Sequence, residues 1–262
     1  MTRVARAHID LDAIKLNYRL AKSLVPGAKA VAVVKANAYG HGAVQVSRAL
    51  APEADAFGVA CLEEAEQLRH SGIQNRLLLL EGYFSTDELQ RIDQLNLDTT
   101  IHSPHQLQQI LDAKLTRPLN VWLKLDTGMH RLGFLPAEYP DAFQKLSTSK
   151  NVAQIIHMSH FSRADETLSG TTEEQIELFN NSRADLPGAT SLANSPGILA
   201  WPQSGGDWIR PGMMLYGASP LDHDNHASRQ LRPAMTMSSK IIAIKQLNTG
   251  DNIGYGGSYR CP

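Results

Sequence analysis

Lys35 closes an apolar run, Ala30-Val31-Ala32-Val33-Val34, within the stretch AVVKANAYGHG from Ala32 to Gly42. A Val-rich run of this kind reads as a strand buried on both faces. A lysine at the end of such a strand is partly desolvated, which lowers its pKa. A neutral amine attacks a carbonyl carbon and forms a Schiff base. Asn37, Tyr39, Gly40, His41 and Gly42 follow it and supply polar contacts and close backbone approach to a ligand. The same lysine also fits a side chain snorkelling out of a strand end. Residues elsewhere in the chain decide between the two.

Those residues need elements to position them. Strand candidates end near Val34, Ala60, Leu80, Ile101, Leu125, Met158 and Ala193, with a weaker eighth around Trp208 to Arg210. Helix patterns fall between them. One runs from Leu62 to His70. Ser85 and Glu88 have capping-box spacing, as do Thr171 and Glu174 for a helix through about Arg183. Ser103-Pro104 is a helix start, and Leu135-Pro136 opens a helix to about Lys150. Repeated β/α units imply a parallel sheet. A closed (β/α)8 barrel fits the count best, and an open doubly wound sheet is the alternative. No Rossmann-type glycine fingerprint follows the first strand, which weighs against that alternative. Barrel chemistry sits at the C-terminal strand ends. Lys35 lies there, as do Lys124, Asp126 and Arg131, then His160, then Asn194 and Ser195, then Arg210. This convergence favours a site.

The 262 residues suffice for one large core or for one domain and part of another. With 42% hydrophobic and 19% charged residues and a formal net charge of −1, the chain lacks a basic block for nucleic acid or for a membrane surface. A small molecule is the expected partner. The first twenty residues carry charges but no apolar h-region, and no apolar run reaches membrane-spanning length. Cys61 and Cys261 have neither zinc nor redox spacing, so no metal site and a reduced, cytoplasmic protein are expected. From about Arg229 the pattern alternates apolar and polar residues around a turn at Asn248-Thr249-Gly250-Asp251. The expected division is a barrel over 1–228 and the first strands of a β-rich domain over 229–262.

In order along the chain, AVVKANAYGHG, KLDTGMHRLGF, SHFSRAD, ANSPGIL, WIRPGMMLYG and GYGGSY closely resemble the motifs of alanine racemases. These enzymes use pyridoxal 5′-phosphate (PLP) and join a barrel to a C-terminal β domain. The resemblance runs from AHIDLDAIKLN to NIGYGGSY and covers essentially the whole chain. It implies that Lys35 holds PLP as a Schiff base and is one of two catalytic bases. The other is Tyr255, which in the family comes from the second subunit of a homodimer to the opposite face of Cα. It implies further that Tyr39, Asn194, Ser195 and the backbone of Gly212 and Met213 surround the PLP phosphate. Arg210 matches the arginine on the pyridine nitrogen. An arginine keeps its proton, so the ring stays a weaker electron sink. His160 matches the histidine against the ring. Arg131 matches the arginine that binds the substrate carboxylate, a geometry suited to a guanidinium. Lys124 matches a lysine that many members carry as a carbamate, an anion that orients Arg131.

Relative to the family pattern, the chain stops early, seven residues after Tyr255, without the further β strands and their motifs. The expectation is a C-terminally truncated alanine racemase that acts on alanine with reduced activity and, at full length, supplies D-alanine for peptidoglycan. Two alternatives remain at this stage. One is a non-catalytic PLP-binding barrel of the PLP homeostasis type. The other is a related barrel racemase or decarboxylase.

Overall fold

Eight parallel strands pair; runs with Val, Leu or Ile form five of them, and the other three are Asp-Thr-Thr-Ile, Ala-Thr-Ser and Trp-Ile. In the computed structural model, which describes residues 4–262, β1 (Arg6–Ile9) precedes a helix over Leu11–Leu24. Eight strands follow: β2 (Lys29–Val33), β3 (Ala56–Val59), β4 (Arg76–Leu79), β5 (Asp98–Ile101), β6 (Leu119–Lys124), β7 (Val152–Met158), β8 (Ala189–Ser191) and β9 (Trp208–Ile209). Their order is β8-β7-β6-β5-β4-β3-β2-β9, and each paired neighbour is parallel. Arg210 N–H donates to the Ala193 carbonyl at 2.9 Å, and the Asp207 carboxylate accepts from Thr190 N–H at 2.8 Å. These bonds join β9 to β8 and close a (β/α)8 barrel. A doubly wound sheet would reverse its strand order partway, and this one does not.

Alternation along the strands divides the core in two. Ala30 and Ala32 of β2 join the helices in the large outer cluster, with Ile14, Tyr18, Leu68 and Phe179. Val31 joins Leu78, Trp122, Ile156, Met158 and Trp208 in a separate inner cluster. The barrel is therefore filled, as its geometry demands. At the N-terminal strand ends Asp98 accepts from Trp122 Nε1 at 2.9 Å, from Asn120 Nδ2 at 3.0 Å and from Arg76 Nε. The Arg76 guanidinium also lies 5.1 Å from the Trp208 ring centroid.

The helix over Leu62–His70 stands where the pattern put it. Local chemistry shifts others. Ser85 precedes the helix Thr86–Gln94 but its hydroxyl caps nothing, and Glu88 instead takes Phe84 N–H at 3.1 Å. Ser103 Oγ does cap Pro104–Asp112, accepting from Gln106 N–H at 3.3 Å. Leu135-Pro136 forms a turn closed by Glu138, and the helix itself is Tyr139–Ser147. The helix Thr171–Arg183 has Gly170 at its N-cap. The Thr171 hydroxyl pairs with Ser169 Oγ, so the expected capping box does not form.

Contacts divide the chain into two units: Ile9–Ala234, and Met235–Pro262 with the described residues up to His8. Residues 229–234 go with the barrel because Asn17 holds them. Its Oδ1 accepts from Arg232 N–H and its Nδ2 donates to Arg232 C=O. Within the smaller unit, β10 (Met235–Ser238) pairs with β1. There β11 (Asn252–Ile253) pairs antiparallel with β12 (Tyr259–Arg260) around the expected turn at Asn248–Asp251. The alternating segment 239–247 forms no strand. Among the described residues it has no hydrogen-bonded neighbour, and Ile241, Ile242 and Ile244 stay exposed. No helix of the described residues is long and apolar enough to cross a membrane.

Candidate active site

A cavity of about 500 Å³ opens at the C-terminal strand ends. Lys35, Tyr39, Lys124, Arg131, His160, Asn194, Ser195, Arg210, Gly212 and Met213 all line it. Val33, Leu80, Met158 and Pro220 contribute apolar wall. Tyr255 belongs to the smaller unit, where it is fully exposed.

Lys35 leads into a helical turn, Lys35–Tyr39, of left-handed sense. Ala36, Asn37, Ala38 and Tyr39 have φ of 52°, 54°, 55° and 53°. Each such non-glycine residue costs about 1–3 kcal/mol and persists only where its surroundings over-determine it. Here they do. Glu64 accepts from Ala36 N–H at 2.7 Å and from Ala60 N–H at 2.8 Å, tying the ends of β2 and β3 together. Asn37 Oδ1 takes Ala43 N–H at 2.9 Å, and Asn37 C=O takes Gly42 N–H at 2.9 Å. The Tyr39 ring that results lies 5.0 Å from that of Tyr216. A Cβ at position 212 would come within 2.9 Å of Tyr39 Oη, so Gly212 is what lets this hydroxyl reach the backbone.

The sequence reading expected Lys35 to be the desolvated lysine. The deeply buried one is Lys124, 6% exposed, while Lys35 is half-buried. Burial, reinforced by the charges of Arg210 and Arg131, pushes Lys124 down to about 8. Glu81, the one acidic residue lining the cavity, opposes that shift. Sequence reading missed Glu81, although it stands just past the end of β4, where the rule that found Lys124 would also have found it.

Arg210 is buried at the barrel seam. Its Nη1 donates to Ser191 C=O at 2.8 Å and Ser191 Oγ at 2.6 Å. Its Nη2 donates to Ser159 C=O at 2.6 Å and to His160 Nδ1 at 3.4 Å. Among the described residues its Nε makes no hydrogen bond. Burial first, then the charges of Arg210, Lys124, Arg131 and Lys35, hold His160 well below the ordinary histidine value. The imidazole is therefore neutral at physiological pH, and Nδ1 is its acceptor.

Asn194 rather than Ser195 caps the short helix Ser195–Ala200, accepting Gly197 N–H at 3.1 Å. Ser195 Oγ accepts from Gly212 N–H at 2.9 Å and Met214 N–H at 3.2 Å. The Gly212 amide is thus engaged internally, whereas Met213 N–H makes no hydrogen bond among the described residues. Arg131 is exposed on a loop folded back against β6. Asp126 Oδ1 takes Gly128 N–H and His130 N–H at 3.0 Å each, and Phe134 N–H donates to Lys124 C=O at 2.9 Å. Burial raises the Asp126 pKa, but these amides and His130 outweigh it and hold the carboxyl below its usual value.

A closed parallel barrel with two lysines, two arginines and a neutral histidine around one cavity defines a (β/α)8-barrel enzyme. Residues 9–220 match the family model described as alanine racemase, N-terminal domain. The chain is 52% identical over 259 residues to the alanine racemase of Pseudomonas syringae pv. syringae (strain B728a), covering 99% of this chain and 72% of that protein. It is 50% identical over 260 residues to the catabolic alanine racemase of Pseudomonas putida, with the same coverage. The crystal structure of the biosynthetic alanine racemase from Pseudomonas aeruginosa superposes with a TM-score of 0.95 at 45% identity, over 99% of this chain and 73% of that one. That of the Acinetobacter baumannii enzyme gives 0.92 at 35% identity, with the same coverage. The chain belongs to the alanine racemase family.

Proposed function

We propose that this chain interconverts L- and D-alanine with PLP held in the barrel-mouth cavity. The observation that carries this reading is the placing of Lys35, Lys124, Arg131 and Arg210 around one space at the strand ends. The donor set fits the cofactor. Tyr39 Oη and the amide of Met213 serve a phosphate, the cationic surroundings favour its charge, and the unengaged Nε of Arg210 serves a pyridine nitrogen. When bound, PLP withdraws electrons from the substrate Cα and makes its proton removable.

The protein does the rest. Lys35 holds the cofactor and takes or returns the Cα proton on one face. Tyr255 serves the opposite face from the second subunit of a homodimer, and its full exposure leaves it available for that. Ser191, Ser159 and Leu192 hold the Arg210 guanidinium, and His160, neutral, accepts from it on the cavity side. Arg131 binds the substrate carboxylate. The pKa of about 8 leaves part of Lys124 neutral near physiological pH, the form that reacts with carbon dioxide. The resulting carbamate would offset the neighbouring cations. Such an enzyme, acting in the cytoplasm, supplies D-alanine for peptidoglycan.

The test is direct. The chain loaded with PLP should be yellow and convert L-alanine to D-alanine; borohydride, which adds hydride to the C=N bond, should bleach it and leave a pyridoxyl group bound covalently as a secondary amine on Lys35. Colour without turnover would point to a non-catalytic PLP barrel, and turnover of other amino acids only would point to a different racemase.

A further inference from the structure

A buried amide behind the cavity joins the two loops that carry His160 and Arg131. Gln175, on the helix Thr171–Arg183, is only 2% exposed. Its Nε2 donates to Thr127 Oγ1 at 3.1 Å and to His160 C=O at 3.3 Å. Its Oε1 accepts from Ser162 N–H at 3.0 Å and from Ser162 Oγ at 3.1 Å. One side chain therefore fixes the main chain on both sides of Phe161, immediately after His160. Thr127 extends the clamp. Its hydroxyl pairs with Ser159 Oγ at 2.8 Å, Ser159 Oγ donates to Leu125 C=O at 2.9 Å, and Ser159 C=O receives Arg210 Nη2. The contact that depends on this alignment, Arg210 Nη2 to His160 Nδ1, is long at 3.4 Å and tolerates little displacement.

We infer that Gln175 is a positioning residue for racemisation: its amide holds the His160 and Thr127 loops in register, so that His160 meets Arg210. This rests on the racemase reading above only for its kinetic consequence. Asn151 supplies a matched control at the other end of the barrel. It is also buried, and its Nδ2 donates to Ile110 C=O and Ala113 C=O at 2.8 Å each; it sits just before the first residue of β7, whereas the cavity is reached only at that strand's last residue, Met158.

The experiment compares Gln175→Met with Asn151→Leu in the PLP-loaded chain, and follows the His160 ring by 15N NMR in the cofactor-free chain. Both variants should lower Tm. Only Gln175→Met should shift the His160 ring signals and reduce kcat about tenfold, with KM within about twofold. Thr127→Val, which removes one partner of the same amide, should move both readouts in the same direction by a smaller amount. It decides the matter if Gln175→Met does not fold. A folded Gln175→Met or Thr127→Val protein with lowered Tm but unchanged kcat and unchanged His160 signals overturns the inference. An inactive parent chain would instead overturn the racemase reading, and the NMR comparison would still test Gln175.

Discussion

At the N-terminal end of the barrel strands, Asp98 gathers Arg76, Asn120 and the Trp122 indole, and Arg76 also stacks on Trp208. At the C-terminal end, Lys35, Lys124, Arg131 and Arg210 surround a space of about 500 Å³ with Glu81 as the one carboxylate lining it. The first end pairs its charge and fills its volume. The second leaves cations in excess and volume open, and Lys124 is pushed down to about 8 as a result. Paired charge serves the fold, and excess charge serves anionic ligands such as a phosphate or a carboxylate.

The largest effect that sharpens this contrast is Lys35→Ala. It should reduce racemase kcat by about 10³-fold while Tm holds or rises slightly, since it removes one of several repelling cations. Steady-state kinetics beside thermal denaturation check both halves, and a large fall in Tm would break the comparison. Next comes Asp98→Ala at the other end. Leaving Arg76 and the indole N–H without their acceptor should cost about 3–5 kcal/mol in denaturant unfolding, with kcat per folded molecule retained. The smallest effect concerns pH. His157 and His160 are both held below the ordinary histidine value, chiefly by burial. The unfolded chain then binds more protons than the folded one below about pH 6.5, so stability is full above that pH and falls as pH falls. His160→Asn should flatten this acid limb by up to about 1.4 kcal/mol per pH unit. An unchanged slope in urea titrations from pH 7 to 5 would show that the open end carries no such penalty.

Much of the barrel was legible because buried parallel strands have a plain signature. Seven expected strand ends fall within two residues of the observed ones, and the weakest, at Trp208, is a strand of two residues. Helix starts were less legible. Ser85 and Thr171 had the right spacing, but Glu88 reached one residue further back and Ser169 engaged the Thr171 hydroxyl. The segment 239–247 alternates like a strand, yet a strand depends on a neighbour that local pattern does not supply. For the site, strand-end position singled out Lys35, Lys124, Arg131, His160, Asn194, Ser195 and Arg210, which all line the cavity, and Asp126, which does not. Depth was not legible: it made Lys124 the buried lysine, and the handedness of the chain after Lys35 left no sign in Ala-Asn-Ala-Tyr.

That handedness constrains what chemistry could rebuild the segment. Proline, with φ near −65°, is shut out of positions 36–39. The backbone at Ala36 and Ala38 has the geometry preferred by the mirror-image amino acid. In a chain made by chemical synthesis, D-alanine at position 36 or 38 would relieve the steric clash that the natural enantiomer carries, without disturbing the amides that frame Lys35.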